Sequence, residues 1–258
     1  MKHFAEAVEL AERMADAARP VVMRSFRAPA LAVDAKADDS PVTAADREAE
    51  AVMRRMIGET FPDHGIVGEE HGAVRGEAEW VWVVDPIDGT KSFVTGKPLF
   101  GTLIALLHEG RPVIGIIDMP ALGERWLGAE GQATTFNGER VRTRACAALG
   151  SAWLSATSPQ MFRGRDAEAF ERLLGCCRAT VYGADCYAYG LIANGTVDIV
   201  CEASMQPYDY CALVPVVAGA GGMMTDWNGA PLTLASDGRV LAAGDPSAHA
   251  AAREVLAP

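Results

Sequence analysis

The sequence predicts a mixed α+β protein of two fused lobes, and three features carry that prediction. Residues 4–26 and 44–59 place apolar side chains at helical spacing. Residues 80–136 hold β-branched and aromatic runs separated by tight-turn signals, and residues 152–256 alternate strand and helix patterns. With 258 residues the chain can bury a large core, as one domain or two fused lobes, and a hydrophobic share of 50% places it among folded globular proteins.

In the first segment Phe4, Ala7, Val8, Leu10, Ala11, Met14, Ala15 and Ala18 make a helical stripe, which Pro20 is expected to kink or divide. A polar stretch, residues 36–43, leads to the second helix, with Thr43 at its N-cap and Asp46 in its first turn. Residues 61–65 form a turn, and Ile66, Val67 and Gly68 a short strand delivering Glu69 and Glu70. In an extended segment those two side chains point apart, so only one faces a shared site. Residues 80–84 read as a buried strand that Pro86 should halt, because proline has no N–H for the ladder.

Residues 100–108 and 111–118 are strands joined at Glu109-Gly110, and the antiparallel pattern continues through residues 125–127 and 133–136 to Asn137-Gly138. Residues 145–151 are a small-residue connector. The lobe boundary is set there, giving an N-terminal lobe of residues 1–145 and a C-terminal lobe of residues 146–258. In the second lobe residues 152–156, 179–182, 197–201 and 240–243 have strand character. Residues 165–177, 187–194, 209–218 and 248–256 are helical; Pro215 should bend the third of these, and Gly219, Gly221 and Gly222 end it.

The chemistry concentrates after residue 84, in Asp85-Pro86-Ile87-Asp88-Gly89-Thr90-Lys91-Ser92. Gly89 permits a turn around which Asp85 and Asp88 can converge, and two like charges held close are costly unless a cation lies between them. Oxygen donors with no neighbouring His or Cys favour Mg²⁺ over zinc. Gly89, Thr90, Lys91 and Ser92 open a short helix or tight turn whose N–H groups suit a phosphate. A metal beside an anion-binding turn points to phosphoryl chemistry. By itself the Asp-x-x-Asp spacing is equally well explained by a solvated Asp-Pro turn; entry from a buried strand makes the full string specific.

Together with Gly68-Glu69-Glu70, and with Asp209 ahead of the helix ending in Gly219-Ala220-Gly221-Gly222, that string resembles the inositol-monophosphatase-like phosphatases, which share a fold with fructose bisphosphatase. The resemblance covers nearly the full length. It implies alternating layers of helices and mixed sheets with the active site between the lobes. The N-terminal lobe would carry most metal ligands, and the C-terminal lobe the last metal Asp and the specificity residues. Glu69 would bind a first metal, Asp85 would bridge two, and the Ile87 carbonyl would complete the first metal's coordination. Asp88 and Asp209 would hold the second.

Thr90, assisted by Asp46, would hydrogen-bond the attacking water, Gly89 and Thr90 would hold the phosphate, and Lys36 would assist a loosely held metal or the phosphate. The cofactor implied is two or three Mg²⁺ ions, a pair about 4 Å apart activating water and neutralising the leaving oxygen. Plainer roles exist for several of these residues: Asp46 charging a helix start, Lys36 an ordinary surface lysine, Asp209 a helix cap.

Within the family, Gly183-Ala184-Asp185-Cys186-Tyr187-Ala188-Tyr189 and Gln206-Pro207-Tyr208-Asp209 resemble the histidinol-phosphatase branch. Inositol-specific members usually carry Trp before the last metal Asp, where this chain has Tyr208. The branch implies hydrolysis of histidinol phosphate in histidine biosynthesis. That substrate carries an ammonium and an imidazole, for which Asp185 and Glu202 are the candidate acidic contacts. Asp185 discriminates better, because Glu202 also resembles a position that contacts sugar hydroxyls in the inositol branch. Tyr187 or Tyr189 is a candidate imidazole contact, with core packing as the alternative. An inositol or broad sugar monophosphatase is the nearer competing reading, and a non-catalytic metal or phosphometabolite sensor the remoter one.

A formal net charge of −11 argues against nucleic acid as partner and favours substrates that also carry a cation. No glycine-lysine P-loop is present, which disfavours a nucleotide kinase. The chain shows no transmembrane-length apolar run and no signal-peptide pattern, so a cytoplasmic protein is expected. The six cysteines include no C-x-x-C pair and are expected to be reduced thiols in the core. Homodimerisation is what the family resemblance implies.

Overall fold

The computed structural model describes residues 2–29, 33–35 and 41–257. Helix α1 (Lys2–Ser25) buries Ala7, Leu10, Ala11, Met14, Ala15 and Ala18. It passes through Pro20 without dividing, because Pro20 lies on the exposed side, where water can satisfy the carbonyl that proline leaves unbonded. Strands β1 (Val33–Ala35) and β2 (Pro41–Thr43) pair antiparallel, a ladder the polar sequence does not announce. Thr43 caps α2 (Ala44–Thr60), its Oγ1 accepting the Ala45 N–H at 3.2 Å.

A mixed sheet follows, built from β3 (Gly65–Gly68), β4 (Gly72–Val74), β5 (Trp80–Asp88), β6 (Gly101–His108), β7 (Arg111–Met119), β8 (Glu124–Ala129), β9 (Thr135–Phe136) and β10 (Glu139–Arg140). Among the described residues its order is β10-β9-β8-β7-β6-β5-β3-β4, and only β3 and β5 run parallel. The short helix α3 (Thr90–Val94) lies between β5 and β6 in the chain. Glu109-Gly110 and Asn137-Gly138 both turn with positive φ at each position, matching the twist of two-residue hairpins.

Alternation along the central strands supplies both faces. Trp82, Val84, Ile104 and Leu106 pack with α1 and α2, whereas Val81, Val83, Leu103 and Ala105 join the opposite cluster. With both faces covered, residues 103–107 of β6 are an unbroken apolar run rather than an alternating one.

The later residues form a second mixed sheet from β11 (Trp153–Ala156), β12 (Ala179–Tyr182), β13 (Ile199–Glu202), β14 (Met223–Thr225) and β15 (Val240–Ala243), ordered β12-β11-β13-β15-β14. Its helices are α4 (Arg165–Cys176), α5 (Tyr187–Ala193), α6 (Pro207–Tyr210), α7 (Leu213–Gly219) and α8 (Pro246–Leu256). Val200, Val240 and Ala242 share one cluster with Ile192, Leu213, Val216 and the first sheet. Ile199, Cys201 and Leu241 face the other way, onto Phe170 and Leu173 of α4 and Ala248 and Ala252 of α8. The layers therefore alternate helix, sheet, helix, sheet, helix, as the resemblance implied. Because the middle cluster draws on both sheets, the two share one core.

Three expectations need correction. Pro86 does not halt its strand: β5 continues to Asp88 through a register shift. The helix expected over residues 209–218 is two helices, α6 and α7, parted at Cys211 and Ala212. Cys211 lies four residues before Pro215, whose ring crowds that carbonyl and offers it no N–H. Of the cysteines, Cys186, Cys201 and Cys211 are buried, but Cys176 is exposed at the end of α4.

Candidate metal and phosphate site

The shift in β5 builds the site. Asp85 pairs with Leu103 and Asp88 with Gly101, so β5 uses one more residue than β6 over this interval, a bulge. Residues three apart on a regular strand face opposite sides, and the extra residue lets both carboxylates face one side. Pro86 fits inside the bulge, where no ladder N–H is required. Its carbonyl accepts Thr102 Oγ1 at 2.8 Å, and the Ile87 N–H donates to Asp85 Oδ1 at 2.9 Å.

Two neighbours complete the cluster. The parallel register sets Gly68 opposite Val84, and the Glu69 N–H donates to the Val84 carbonyl at 3.3 Å, which brings Glu69 beside Asp85. Glu69 and Glu70 occupy a turn rather than the extended strand expected, and Glu69 lies close enough to Asp85 and Asp46 to raise both carboxyls. Asp209 arrives on α6, with Oδ2 accepting the Gln206 N–H at 2.7 Å, so it caps its own helix as well. One ligand oxygen from each of Asp85, Asp88 and Asp209 lies within 4.8 Å of the others.

That proximity has an electrostatic cost. Burial, then the charges of Glu69, Asp88 and Asp209, pushes Asp85 well above the usual carboxylate range. Burial, then Asp185 and Asp209, does the same to Asp88, although the Cys186 N–H donates to its Oδ2 at 2.7 Å. A hard divalent cation among these oxygens would remove the repulsion and hold the groups as anions. The Ile87 carbonyl accepts Thr90 Oγ1 at 3.0 Å, and a carbonyl has a second lone pair to offer. The donor set fits such an ion.

Asp46 is fully buried at the start of α2. Its Oδ2 accepts the Thr43 N–H at 2.8 Å and Thr43 Oγ1 at 2.5 Å, while Oδ1 is buried with no hydrogen-bond partner. Burial raises its pKa, and Glu69 adds to the rise. An orphaned buried acceptor suits an ordered water. Thr90 and Asp46 are not bonded to each other, because the Thr90 hydroxyl is satisfied within its own turn by Ile87. Lys36 lies outside the described residues.

Gly89, at φ 81°, precedes α3. A Cβ there would crowd Asp185 Oδ2 and the Leu99 carbonyl, each at 3.1 Å, and the left-handed backbone would strain any other residue, so glycine is favoured. Asp185 holds a left-handed backbone (φ 49°), and its Oδ2 accepts Ser92 Oγ at 3.1 Å. Lys97 Nζ donates to the Gly183 carbonyl nearby. Burial raises the Asp185 pKa, while Ser92, Lys97 and Lys91 pull it down.

Glu202 is buried with both oxygens engaged, Oε1 by the Thr157 N–H and Oε2 by the Tyr189 hydroxyl, each at 2.8 Å. Burial pushes it up to about 7. Tyr189 is therefore a core residue, and Tyr187 sets its ring edge against Trp126. The Cys186 N–H donated to Asp88 and the bond of the Ser92 hydroxyl to Asp185 were not anticipated from the sequence. Backbone donors leave no trace in side-chain patterns, and Ser92 becomes informative only once Asp185 lies beside it.

Fold and site together define a layered α/β protein with a carboxylate cluster suited to a divalent metal beside a glycine turn. The sequence profile of the inositol monophosphatase family matches residues 4–257. The bifunctional phosphatase IMPL2, chloroplastic, of Arabidopsis thaliana is 48% identical over 252 residues, covering 94% of this chain and 72% of that protein. A histidinol-phosphatase of Mycobacterium tuberculosis is 38% identical, covering 85% of this chain and 87% of its own. The solved structure of an inositol monophosphatase from Zymomonas mobilis matches with a TM-score of 0.91 at 46% identity, covering 98% of each chain. The chain belongs to the inositol monophosphatase family and is a phosphatase of that family. Among the described residues no helix is long and apolar enough to cross a membrane.

Proposed function

We propose that this phosphatase is Mg²⁺-dependent and hydrolyses histidinol phosphate to histidinol and phosphate, a step of histidine biosynthesis. The observation that carries the substrate choice is Asp185, whose carboxylate lies against Gly89, the residue that opens the phosphate turn. A substrate bearing a phosphate and an ammonium a few bonds apart matches an N–H-rich turn beside a carboxylate. The histidinol-phosphatase relatives support the same reading.

Glu69, Asp85, the Ile87 carbonyl, Asp88 and Asp209 would hold two or three Mg²⁺ ions, which when bound supply charge neutralisation and polarise water. The chain's own groups would do the positioning. Gly89 and Thr90 would meet phosphate oxygens with N–H groups that the first turn of α3 leaves without helical partners. Asp46 Oδ1 would accept a hydrogen bond from the attacking water and aim its oxygen at phosphorus, with the Thr90 hydroxyl as a second contact. Lys36 would add positive charge ahead of β2, and Asp185 would hold the ammonium. Glu202, the other candidate acidic contact, would reach the substrate only by giving up its bond from Thr157 or Tyr189.

The test is phosphate release from histidinol phosphate, inositol 1-phosphate and adenosine 3′-phosphate, each with Mg²⁺ and with EDTA. A kcat/KM that strongly favours histidinol phosphate and is abolished by EDTA supports the proposal. Equal or better rates on inositol phosphate would support a second reading, an inositol or broad sugar monophosphatase, which draws on the likeness to the Zymomonas mobilis protein. The proposal includes a cytoplasmic homodimer, and elution at monomer size in gel filtration would overturn the dimer.

A further inference from the structure

Glu50, on α2, is fully buried although it carries a carboxylate. Its Oε2 accepts the Glu70 N–H at 2.7 Å, and its Oε1 accepts the His71 N–H at 3.1 Å and Arg54 Nε at 2.6 Å. Arg54 Nη2 in turn donates to the Gly72 carbonyl. One ion pair, with Glu50 fully buried and Arg54 partly exposed, thus grips the Glu70 and His71 amides of the turn after β3 and the carbonyl of Gly72 at the start of β4. Gly68 admits this close approach, since a Cβ at that position would lie 2.1 Å from Glu50 Oε1.

Anchoring α2 does not require this arrangement. The helix already packs through Ala45, Ala49, Met53 and Ile57, and a buried ion pair contributes little net stability over well-packed apolar side chains. What the pair does that an apolar contact could not is fix the amides of Glu70 and His71, directly after Glu69. A turn left to solvate those amides would have to be ordered each time Glu69 engaged a ligand, and that ordering opposes binding.

We propose that Glu50 is a positioning residue that holds the 69–72 turn so that Glu69 presents its carboxylate to the cluster of Asp85, Asp88 and Asp209. The inference rests on Glu69 being a metal ligand. Loss of a group that orients a ligand typically lowers metal affinity 10- to 100-fold.

The experiment titrates Mg²⁺ into metal-free protein and follows the rise of the thermal midpoint to obtain the half-saturating concentration, with Glu69→Gln run in parallel. Glu50→Gln keeps the size of the side chain but sets an NH₂ group against an N–H donor. It should raise the half-saturating Mg²⁺ concentration about tenfold or more, while kcat at saturating Mg²⁺ stays near wild type. Gly68→Ala, which displaces Glu50, should weaken Mg²⁺ binding similarly, yet add little in a Glu50→Ala background. If Glu69→Gln weakens binding but Glu50→Gln only lowers the metal-free midpoint, the positioning role is overturned and the ligand assignment stands. If Glu69→Gln leaves half-saturation unchanged, the ligand assignment falls and takes this proposal with it.

Discussion

Replacing Asp185 with Asn isolates the charge on which the substrate choice depends. Ser92 Oγ occupies Oδ2 at 3.1 Å, which leaves Oδ1 to meet a substrate ammonium. Asn has the same size, its amide oxygen can still accept from Ser92, and its packing against Gly89 is kept, so the fold should be unaffected. A hydrogen bond between charged groups contributes roughly 1.5–3 kcal/mol. Lys91 and Lys97 already offset part of the Asp185 charge, and the side chain is partly exposed, so the lower half of that range applies, about 1.5–2 kcal/mol. This corresponds to roughly a ten- to thirtyfold loss of kcat/KM on histidinol phosphate. Inositol 1-phosphate has no cation to lose and should fall by less than about threefold. Phosphate release from both substrates by one preparation, at saturating Mg²⁺, measures the ratio. Equal losses on the two substrates, or none on either, would refute the ammonium contact.

The remaining predictions concern the metal cluster and its supports. Asp88→Asn leaves the Cys186 N–H an acceptor but removes one anion, so Mg²⁺-stimulated turnover should fall on the order of 10³-fold with little change in melting; turnover within tenfold of wild type would reject Asp88 as a ligand. Gly115→Ala would set a Cβ 1.9 Å from the Ala212 carbonyl, at the bend behind Asp209, and should cost about 3 kcal/mol, a fall of several degrees in Tm; an unchanged melt would contradict that contact. Asp85 and Asp88 are raised in the metal-free folded state, so their contribution to its stability declines as pH rises through those raised values, whereas metal binding requires their protons to leave. The stabilisation conferred by Mg²⁺ should therefore grow as pH rises through those raised values, His64 and His249, both lowered to about 4 by burial, cancelling between the two forms; a flat difference between metal-free and Mg²⁺-loaded melts would count against it.

Local chemistry made much of this protein legible from its sequence. Thr43 followed by Asp46 marks a helix start because a hydroxyl and a carboxylate at that spacing satisfy backbone N–H groups nearby. Glu109-Gly110 and Asn137-Gly138 mark hairpins because few residues tolerate positive φ. The central acidic string signals a cation because its charges lie within one turn of chain. The layered architecture was accessible only through the family resemblance, since strand order among distant segments is not a local property.

Tertiary structure decided the rest. Whether Pro86 ended a strand or sat in a bulge depended on β6, whose pairing takes Asp85 to Leu103 and Asp88 to Gly101. That Glu69 would stand beside Asp85 depended on the parallel register of β3 and β5, and the grip of Glu50 on the Glu70 and His71 amides depended on how α2 lies against the 69–72 turn. Asp185 acquired its place against Gly89 from a segment of the second half of the chain folding over the first. A pattern within one segment reports which side chains share a face. A site assembled across strands depends on register, where a one-residue slip turns each side chain to the opposite side.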